Sequence, residues 1–525
     1  MKITKDNIVS CIYQNYLKDA TKAAYLLQIK KNVFEPAQYK TVTYEALVTS
    51  LASFAQQLED AQLIGKRVII LHPLTPEVLS LIFAMFKSGV IPVFIDPNVG
   101  IDHSITCIKN SKADIVFTKT LLMPLVKVLV RRTKVCKVIT FGLLKKQGRK
   151  RIQTNGDHPP DRKATIAGVF YTSGSTGVPK GAIWTHQNLK AQVNSIETIV
   201  GNGKNTTCFA LFPLLLIYGP VMGYTTIWPK CDISKPKKIT PKIIIETAKS
   251  FRINYSFGSP LTWKNLAKHC YAKQVKIQNI DAILCGGAPI GEHLIAKMQQ
   301  LLLSGSFYIT YGATEALPIS YYKSTSDLSN YHNPGTLIGN SFQNTEIRIK
   351  PLQKKTSNIP CTTYKIGEIL VKGKQVTPGY INTVNLTKLN THENQWHPTG
   401  DYGYLDGDNT LWYYGRISHA IEFNGKRYYP VPIEKQIKQF INGNFCSIAV
   451  VKGNLCLILE KKYFRSLKMG RQEFLGNLNE VADIDCTFSQ LLLYPKPFPF
   501  DKRHYSKLDR IKIQHWATTQ RITTI

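Results

Sequence analysis

The sequence predicts an α/β protein. It has a large N-terminal part of stacked, helix-covered sheets, a β-rich subdomain after it, and a small α/β unit at the C-terminus. Three observations carry this. Residues 43–119 alternate between helical and strand periodicity with short connections, and the same alternation resumes across 241–316. After about residue 340 short strands and turns take over, and the final hundred residues are mixed again. Strand–helix–strand alternation with short connections implies parallel strands covered by helices.

In order along the chain, TYEALVTSLASFAQQL places Leu47, Leu51, Phe54 and Leu58 on one helical face. RVIILH then reads as a buried strand, PEVLSLIFAMFKSG as a helix and VIPVFID as a strand, and HSITCIKNSK with ADIVFTK repeats the unit. PKIIIETAKSF, NYSFGSP, IDAILCGGAP, EHLIAKMQQLL and SFYITYGATEA continue the alternation. EIRIK, GEILVKG, DYGYLD and LWYYGR are short strands, and SIAVV, LCLILEKK and FSQLLLYP are the strands of the terminal unit. The expected boundary lies at Gly415–Arg416, which divides the chain into residues 1–415 and 416–525.

A chain of 525 residues exceeds one ordinary domain, and 43% hydrophobic with 19% charged residues is a globular composition. The eleven cysteines are scattered with no C-x-x-C, which predicts free thiols in a reducing, cytoplasmic setting. MKITKDNIVSCIYQNYLKD lacks the apolar segment of a signal peptide. The uncharged run Leu211–Trp228 has the length of a membrane span, but two prolines and two glycines interrupt it, so it predicts a buried wall or apolar pocket. The net charge of +33 is spread along the whole chain with no recognition helix or ribonucleoprotein motif, so no nucleic-acid partner is expected. The densest basic patch, residues 145–163, leaves peripheral contact with an anionic membrane, or with neighbouring pathway enzymes, as the alternatives. No GG-x-S carrier motif is present, so no fused carrier domain is expected.

The chemistry starts at YTSGSTGVPKG, residues 171–181, which carries three glycines, four hydroxyls and a lysine but no apolar periodicity. It is placed between the strand IAGVFY and the amphipathic segment THQNLKAQVNSI. A glycine-rich turn there exposes backbone N–H groups for an anion. Thr172, Ser173, Ser175 and Thr176 add donors, Gly174 and Gly177 allow close approach, and Lys180 adds charge. The spacing is not G-x-x-x-x-G-K-[ST], so this is not the nucleotide triphosphatase loop.

This loop is similar to the signature of the adenylate-forming superfamily of acyl-CoA ligases, nonribosomal adenylation domains and luciferases. Further motifs resemble that superfamily in the expected order: CGGAPI (285–290), YGATEA (311–316), TGDYGYLD (399–406), YYGR (413–416), NGKRYYPVPIE (424–434) and SKLDR (506–510). The resemblance implies ATP and Mg²⁺ as cofactors and a small C-terminal domain that moves. It implies Lys507, Glu315 and Thr176 as catalytic, with Lys507 bridging the carboxylate and α-phosphate and Glu315 on Mg²⁺. It further implies Gly286, Gly287 and Ala288 against adenine, Tyr311 stacked on it, and Gly312 and Thr314 at the phosphates. Asp401 would take the ribose hydroxyls, and Arg416 would reach ribose or phosphate.

Several strings resemble one subgroup, the β-lactone synthetases of bacterial long-chain olefin biosynthesis: FPLLLIYGPVMG, FGSP (257–260), YGATEALPIS, YPVPIE and FPFDKRHYSKLDR. The hinge reads GRISHAIE rather than the usual G-R-x-D-D-x-I-K, with Ser418 and His419 in place of the acidic pair, and Leu216 stands where many ligases have histidine. That likeness implies a 2-alkyl-3-hydroxy fatty acid whose own hydroxyl closes a β-lactone, with Phe212, Tyr218, Met222, Gly258 and Trp263 as the alkyl pocket. A fatty-acyl-CoA or fatty-acyl-AMP ligase, which alone would need CoA in the former case, and a non-catalytic nucleotide-binding protein are the alternatives.

Overall fold

A computed structural model describes residues 6–30, 37–96, 100–131, 133, 135, 137–147, 165–172, 179–201, 206–325, 335–351, 365–381, 396–441, 445–481, 486–500 and 507–520. Two large sheets organise the chain. The six-stranded sheet runs, edge to edge, Lys137–Ile139, Ile115–Thr118, Arg67–Leu71, Ile91–Phe94, Ile166–Thr172 and Lys180–Thr185. All neighbours pair in parallel except the last two, which form an antiparallel hairpin. The thirteen-stranded sheet has a parallel centre, in which Ile253–Gly258, Ile280–Cys285 and Ser306–Ala313 lie side by side. From Ser306–Ala313 onward to that edge every pairing is antiparallel, through Ala316–Lys323, Thr336–Ser341, Leu411–Arg416, His397–Leu405, Gly367–Gly373 and Thr345–Pro351. That antiparallel half is the β-rich region expected after residue 340. Among the described residues, none after Arg416 enters either large sheet; residues 417–520 hold one two-stranded and one three-stranded sheet.

Local chemistry explains the boundaries. The helix Tyr44–Asp60 starts where the Thr43 side chain accepts from Ala46 N–H, and it buries Leu47, Leu51, Phe54 and Leu58 as its 3.6-residue spacing requires. The helix Pro76–Ser88 is capped by Thr75, begins with proline and ends at Gly89 in the left-handed region at φ 71°. It is buried nearly all round because it runs between the core and the helix Tyr44–Asp60.

The run 211–228 does not cross a membrane. It breaks into a short helix, Leu215–Val221, and a strand, Thr225–Trp228, both packed in the core. Gly223, in the left-handed region at φ 78°, permits the break, and Gly219 lets the two pieces pack closely, since a Cβ there would meet Thr226 Oγ1 at 1.9 Å. Among the described residues no helix is long and apolar enough to span a bilayer. The cysteines of the described residues are free thiols.

His186 opens the helix His186–Val200 and is 3% exposed. Its Nδ1 accepts from Ile8 N–H at 3.5 Å, while Nε2 is buried without a hydrogen-bond partner among the described residues. Burial, helped by the nearby Lys190 charge, lowers its pKa to about 3. The unfolded chain titrates near the ordinary value of about 6.5, so the folded state resists a proton that the unfolded state accepts. Stability is therefore whole above about pH 6.5 and falls as pH drops from there toward 3. The urea midpoint should decline over that window, and His186→Asn, which keeps an acceptor for Ile8, should flatten the decline. Equal slopes in the two proteins would remove His186 as the cause.

Candidate active site

The parallel strands Ile253–Gly258, Ile280–Cys285 and Ser306–Ala313 end on the same side of their sheet. Ligands in open α/β sheets bind beyond these carboxyl ends, and a cleft lies there. Its walls are Gly287–Ile290 after the second strand, Ile309–Gly312 on the third, Thr336 and Ile338 on a neighbour, Asp401, Tyr413 and Arg416, and Lys507. The turn at its edge needs glycine. A Cβ on Gly286 would meet Thr310 Oγ1 at 2.5 Å, and Gly287 has φ 91°.

Asp401 is the electrostatic centre. It is 3% exposed on the strand His397–Leu405, paired in register with Arg416 on the adjoining strand. Tyr311 donates its hydroxyl to Asp401 Oδ2 at 2.7 Å. Arg416 Nε lies 3.0 Å from Oδ1, and Arg416 Nη1 donates to Thr399 O at 3.0 Å. The ion pair on Oδ1 is close but not aligned as a hydrogen bond, so this buried oxygen keeps accepting capacity. Burial raises the Asp401 pKa, and the Arg416 charge and the Tyr311 hydrogen bond pull it back. Burial, with the Asp401 charge, holds the Tyr311 phenol well above its usual range, so it acts as a donor. The Tyr311 and Tyr413 rings pack on each other, tilted by 44° with centroids 6.3 Å apart, and the buried Asp401 oxygen beside them suits a ligand hydroxyl.

Lys507 reaches this cleft from the far end of the sequence. Its neighbours hold it there: Leu508 bridges Phe500, Asp509 N–H donates to Pro499 O at 2.8 Å, and Asp509 caps the helix Arg510–Thr518. Arg510 then clamps Glu434 bidentately at 2.5 and 2.7 Å. Lys507 is close enough to lower the Asp401 pKa and, after burial and two arginines, to depress that of His419, which lies at about 4.

A second group of expected residues gathers around Tyr380. Its hydroxyl donates to Glu315 Oε1 at 2.7 Å, and Lys180 Nζ sits 5.3 Å from its ring centroid. Tyr380 is held by an antiparallel bridge to Ala182, Thr377 N–H donates to Glu315 O, and Trp184 Nε1 donates to Thr314 O at 2.8 Å. Glu315 thus has one oxygen fixed by a phenol. The described residues contain no group of three carboxylates, histidines or cysteines able to hold a metal. A single fixed carboxylate suits Mg²⁺, which takes one or two carboxylates and fills its sphere from phosphates and water.

The glycine-rich segment departs from the strand-to-helix turn expected for it. Thr172 and Lys180 face each other across the antiparallel hairpin Ile166–Thr172/Lys180–Thr185, and the helix begins only at His186. The helix that follows is therefore separated from the loop by the strand Lys180–Thr185. Ser173, Gly174, Ser175, Thr176 and Gly177 lie outside the described residues, as does most of the basic patch 145–163.

Of the expected alkyl-pocket residues, Tyr218, Met222, Gly258 and Trp263 are buried and Phe212 is half-buried, and the residues that line the cleft do not include them. Trp263 is 0% exposed and donates Nε1 to Leu284 O, and its ring fills the space beside Gly258. The Tyr218 hydroxyl bonds Gln192, Tyr255 donates to Met222 Sδ, and Phe212 packs on Phe257. Tyr380, Tyr413 and Thr336 were not anticipated. TPGY (377–380) reads as a turn, and nothing in its local pattern points to Glu315, 65 residues away.

The family described as AMP-binding enzyme matches residues 20–381. The olefin β-lactone synthetase of Xanthomonas campestris pv. campestris is 25% identical over 498 residues, covering 87% of each chain. A long-chain-fatty-acid–CoA ligase of Bacillus subtilis is 27% identical over 344 residues, covering 63% of this chain and 58% of its own. Among solved structures, ATP-bound MatB from Rhodopseudomonas palustris superposes with a TM-score of 0.77 at 17% identity, covering 98% of this chain and 99% of MatB. With its family model matching residues 20–381, well over half its length, the chain belongs to the AMP-binding enzymes.

Proposed function

We propose that this enzyme adenylates a fatty-acid-type carboxylate with ATP, releasing pyrophosphate, and then closes the acyl-adenylate to a β-lactone using the substrate's own 3-hydroxyl. The observation that carries the second step is the similarity to an olefin β-lactone synthetase over 87% of each chain, against 63% of this chain and 58% of its own for the fatty-acid ligase.

In this reading the Gly287–Ile290 backbone and the Tyr311 and Tyr413 rings hold the base, and Asp401 Oδ1 accepts from ribose. Lys507 sits where it can neutralise charge that develops between carboxylate and α-phosphate, the largest single contribution in reactions of this type. Lys180 and Glu315, joined through Tyr380, take the remaining phosphates. Mg²⁺ held at Glu315 would neutralise phosphate charge during departure of pyrophosphate. Residues 416–525 act as the moving part, with the hinge at Arg416.

In the lactonising step the 3-hydroxyl oxygen attacks the acyl carbon, the bond from that carbon to the AMP phosphate oxygen breaks with its electron pair leaving on AMP, and the hydroxyl proton passes to water. A tethered nucleophile avoids the entropic cost of recruiting a second substrate, so CoA has no role. His419, kept neutral well below physiological pH, occupies the hinge position where the thioesterifying pattern has a carboxylate. Phe212, Tyr218, Met222, Gly258 and Trp263 stand as the wall behind which an alkyl chain would open space.

The test is product analysis with ATP, Mg²⁺ and a long-chain 2-alkyl-3-hydroxy acid, with and without CoA. AMP and a β-lactone in the absence of CoA are expected. A thioester formed only when CoA is supplied would instead favour the second reading, a fatty-acyl-CoA ligase, to which the Bacillus similarity points.

A further inference from the structure

The segment Thr120–Val130 presents an apolar surface outward. Thr120–Leu122 is a single 3₁₀ turn that leads into the helix Met123–Val130, TLLMPLVKVLV. Val126 and Val130 face inward at 6% and 8% exposure and join the cluster under the six-stranded sheet. The other face is also aliphatic. Leu121 is 79% exposed, Leu125 68%, Val128 58% and Leu122 37%. A helix that is apolar on both faces yet lies at the surface departs from the usual amphipathic pattern. Clustered exposed leucines mark an interaction site where scattered ones do not.

Charge identifies the occupant. Lys119, Lys127 and Arg131 flank the strip and are exposed. From Asp114 to Asp157 the intervening sequence has eleven lysines and arginines and no aspartate or glutamate. A protein partner would be expected to meet aromatic anchors such as Trp and Tyr, and the exposed apolar residues of this strip are aliphatic. Aliphatic side chains that insert at the acyl boundary, ringed by lysines that meet lipid phosphates, are the composition of an interfacial anchor. We propose that Leu121, Leu122, Leu125 and Val128 form a docking surface for an anionic membrane, held by the basic residues around them. This surface does not involve the nucleotide cleft, so the proposal stands apart from the choice of acyl substrate.

The experiment is co-sedimentation of the full chain with phosphatidylcholine vesicles and with equimolar phosphatidylcholine–phosphatidylglycerol vesicles, at low and raised NaCl. The wild type should partition to the anionic vesicles at least about tenfold more strongly, and salt should weaken it, since ions screen the attraction between basic residues and anionic headgroups. Leu121→Gln with Leu125→Gln should lose about tenfold or more of that binding, with the melting temperature and ATP–pyrophosphate exchange unchanged. Lys119→Gln with Lys127→Gln should reduce it less and blunt the salt dependence. Equal wild-type binding to both vesicles, no binding to either, or full binding by the leucine variant would each overturn the proposal. So would a concentration-dependent dimer that the leucine variant abolishes, because the strip would then join two copies.

Discussion

Lys507→Ala lowers acyl-adenylate formation by about 100- to 1,000-fold, the range seen when one preorganised charge donor is removed from a developing anion. The effect should fall on the chemical step. Asp401, Tyr311 and the Gly287–Ile290 backbone, which would hold the nucleoside, do not depend on the Lys507 ammonium. ATP binding by calorimetry should therefore stay within a few-fold of wild type while ATP–pyrophosphate exchange collapses. The fold should persist, because Leu508, Asp509 and the Arg510–Glu434 pair each anchor the 507–510 segment. Unchanged exchange activity in Lys507→Ala would remove the residue from the reaction and with it the proposed role of the C-terminal unit.

Asp401→Ala should damage binding and stability together. It removes the acceptor from the Tyr311 hydroxyl and the counter-charge from Arg416. Breaking a fully buried pair costs ~3–5 kcal/mol. Arg416 keeps 29% side-chain exposure and a hydrogen bond to Thr399 O, so a loss of about 1–3 kcal/mol is expected by urea denaturation. Nucleotide affinity should fall about 10- to 100-fold, as expected when a hydrogen-bonding acceptor for a ligand hydroxyl is lost. Asp401→Asn separates the two effects. The amide oxygen still accepts from Tyr311, so most of the stability returns, while the loss of charge leaves Arg416 unpaired and nucleotide binding weak. If AMP bound Asp401→Ala as tightly as wild type, the ribose assignment would be wrong.

Periodicity was a sound guide where burial is local. The face Leu47, Leu51, Phe54 and Leu58 is buried as spaced, because a helix presents every third or fourth residue to one neighbour whatever lies beyond. The glycine-rich loop shows where local reading ran out. Its composition announces an anion-binding turn, but KGAIWT is equally a strand, and only pairing with Ile166–Thr172 makes it one. The alkyl pocket shows the same limit from the other side. Aromatic residues at pocket positions read alike whether they line a cavity or fill it, and here Trp263 and Tyr218 have buried hydrogen-bond partners.

By itself the sequence determined the α/β class, the alternation of helices and strands across 43–119 and 241–316, and the set of polar groups in motifs such as TGD and SKLDR. Each of these is written in the spacing of neighbouring residues. Tertiary structure alone decided which groups meet. Tyr311 and Asp401 lie ninety positions apart, Glu315 and Tyr380 sixty-five, and Lys507 joins the cleft from beyond both large sheets. Contacts at such separations depend on which strands pair and at what register. Register follows from burial summed over whole sheets, which no short string of residues encodes.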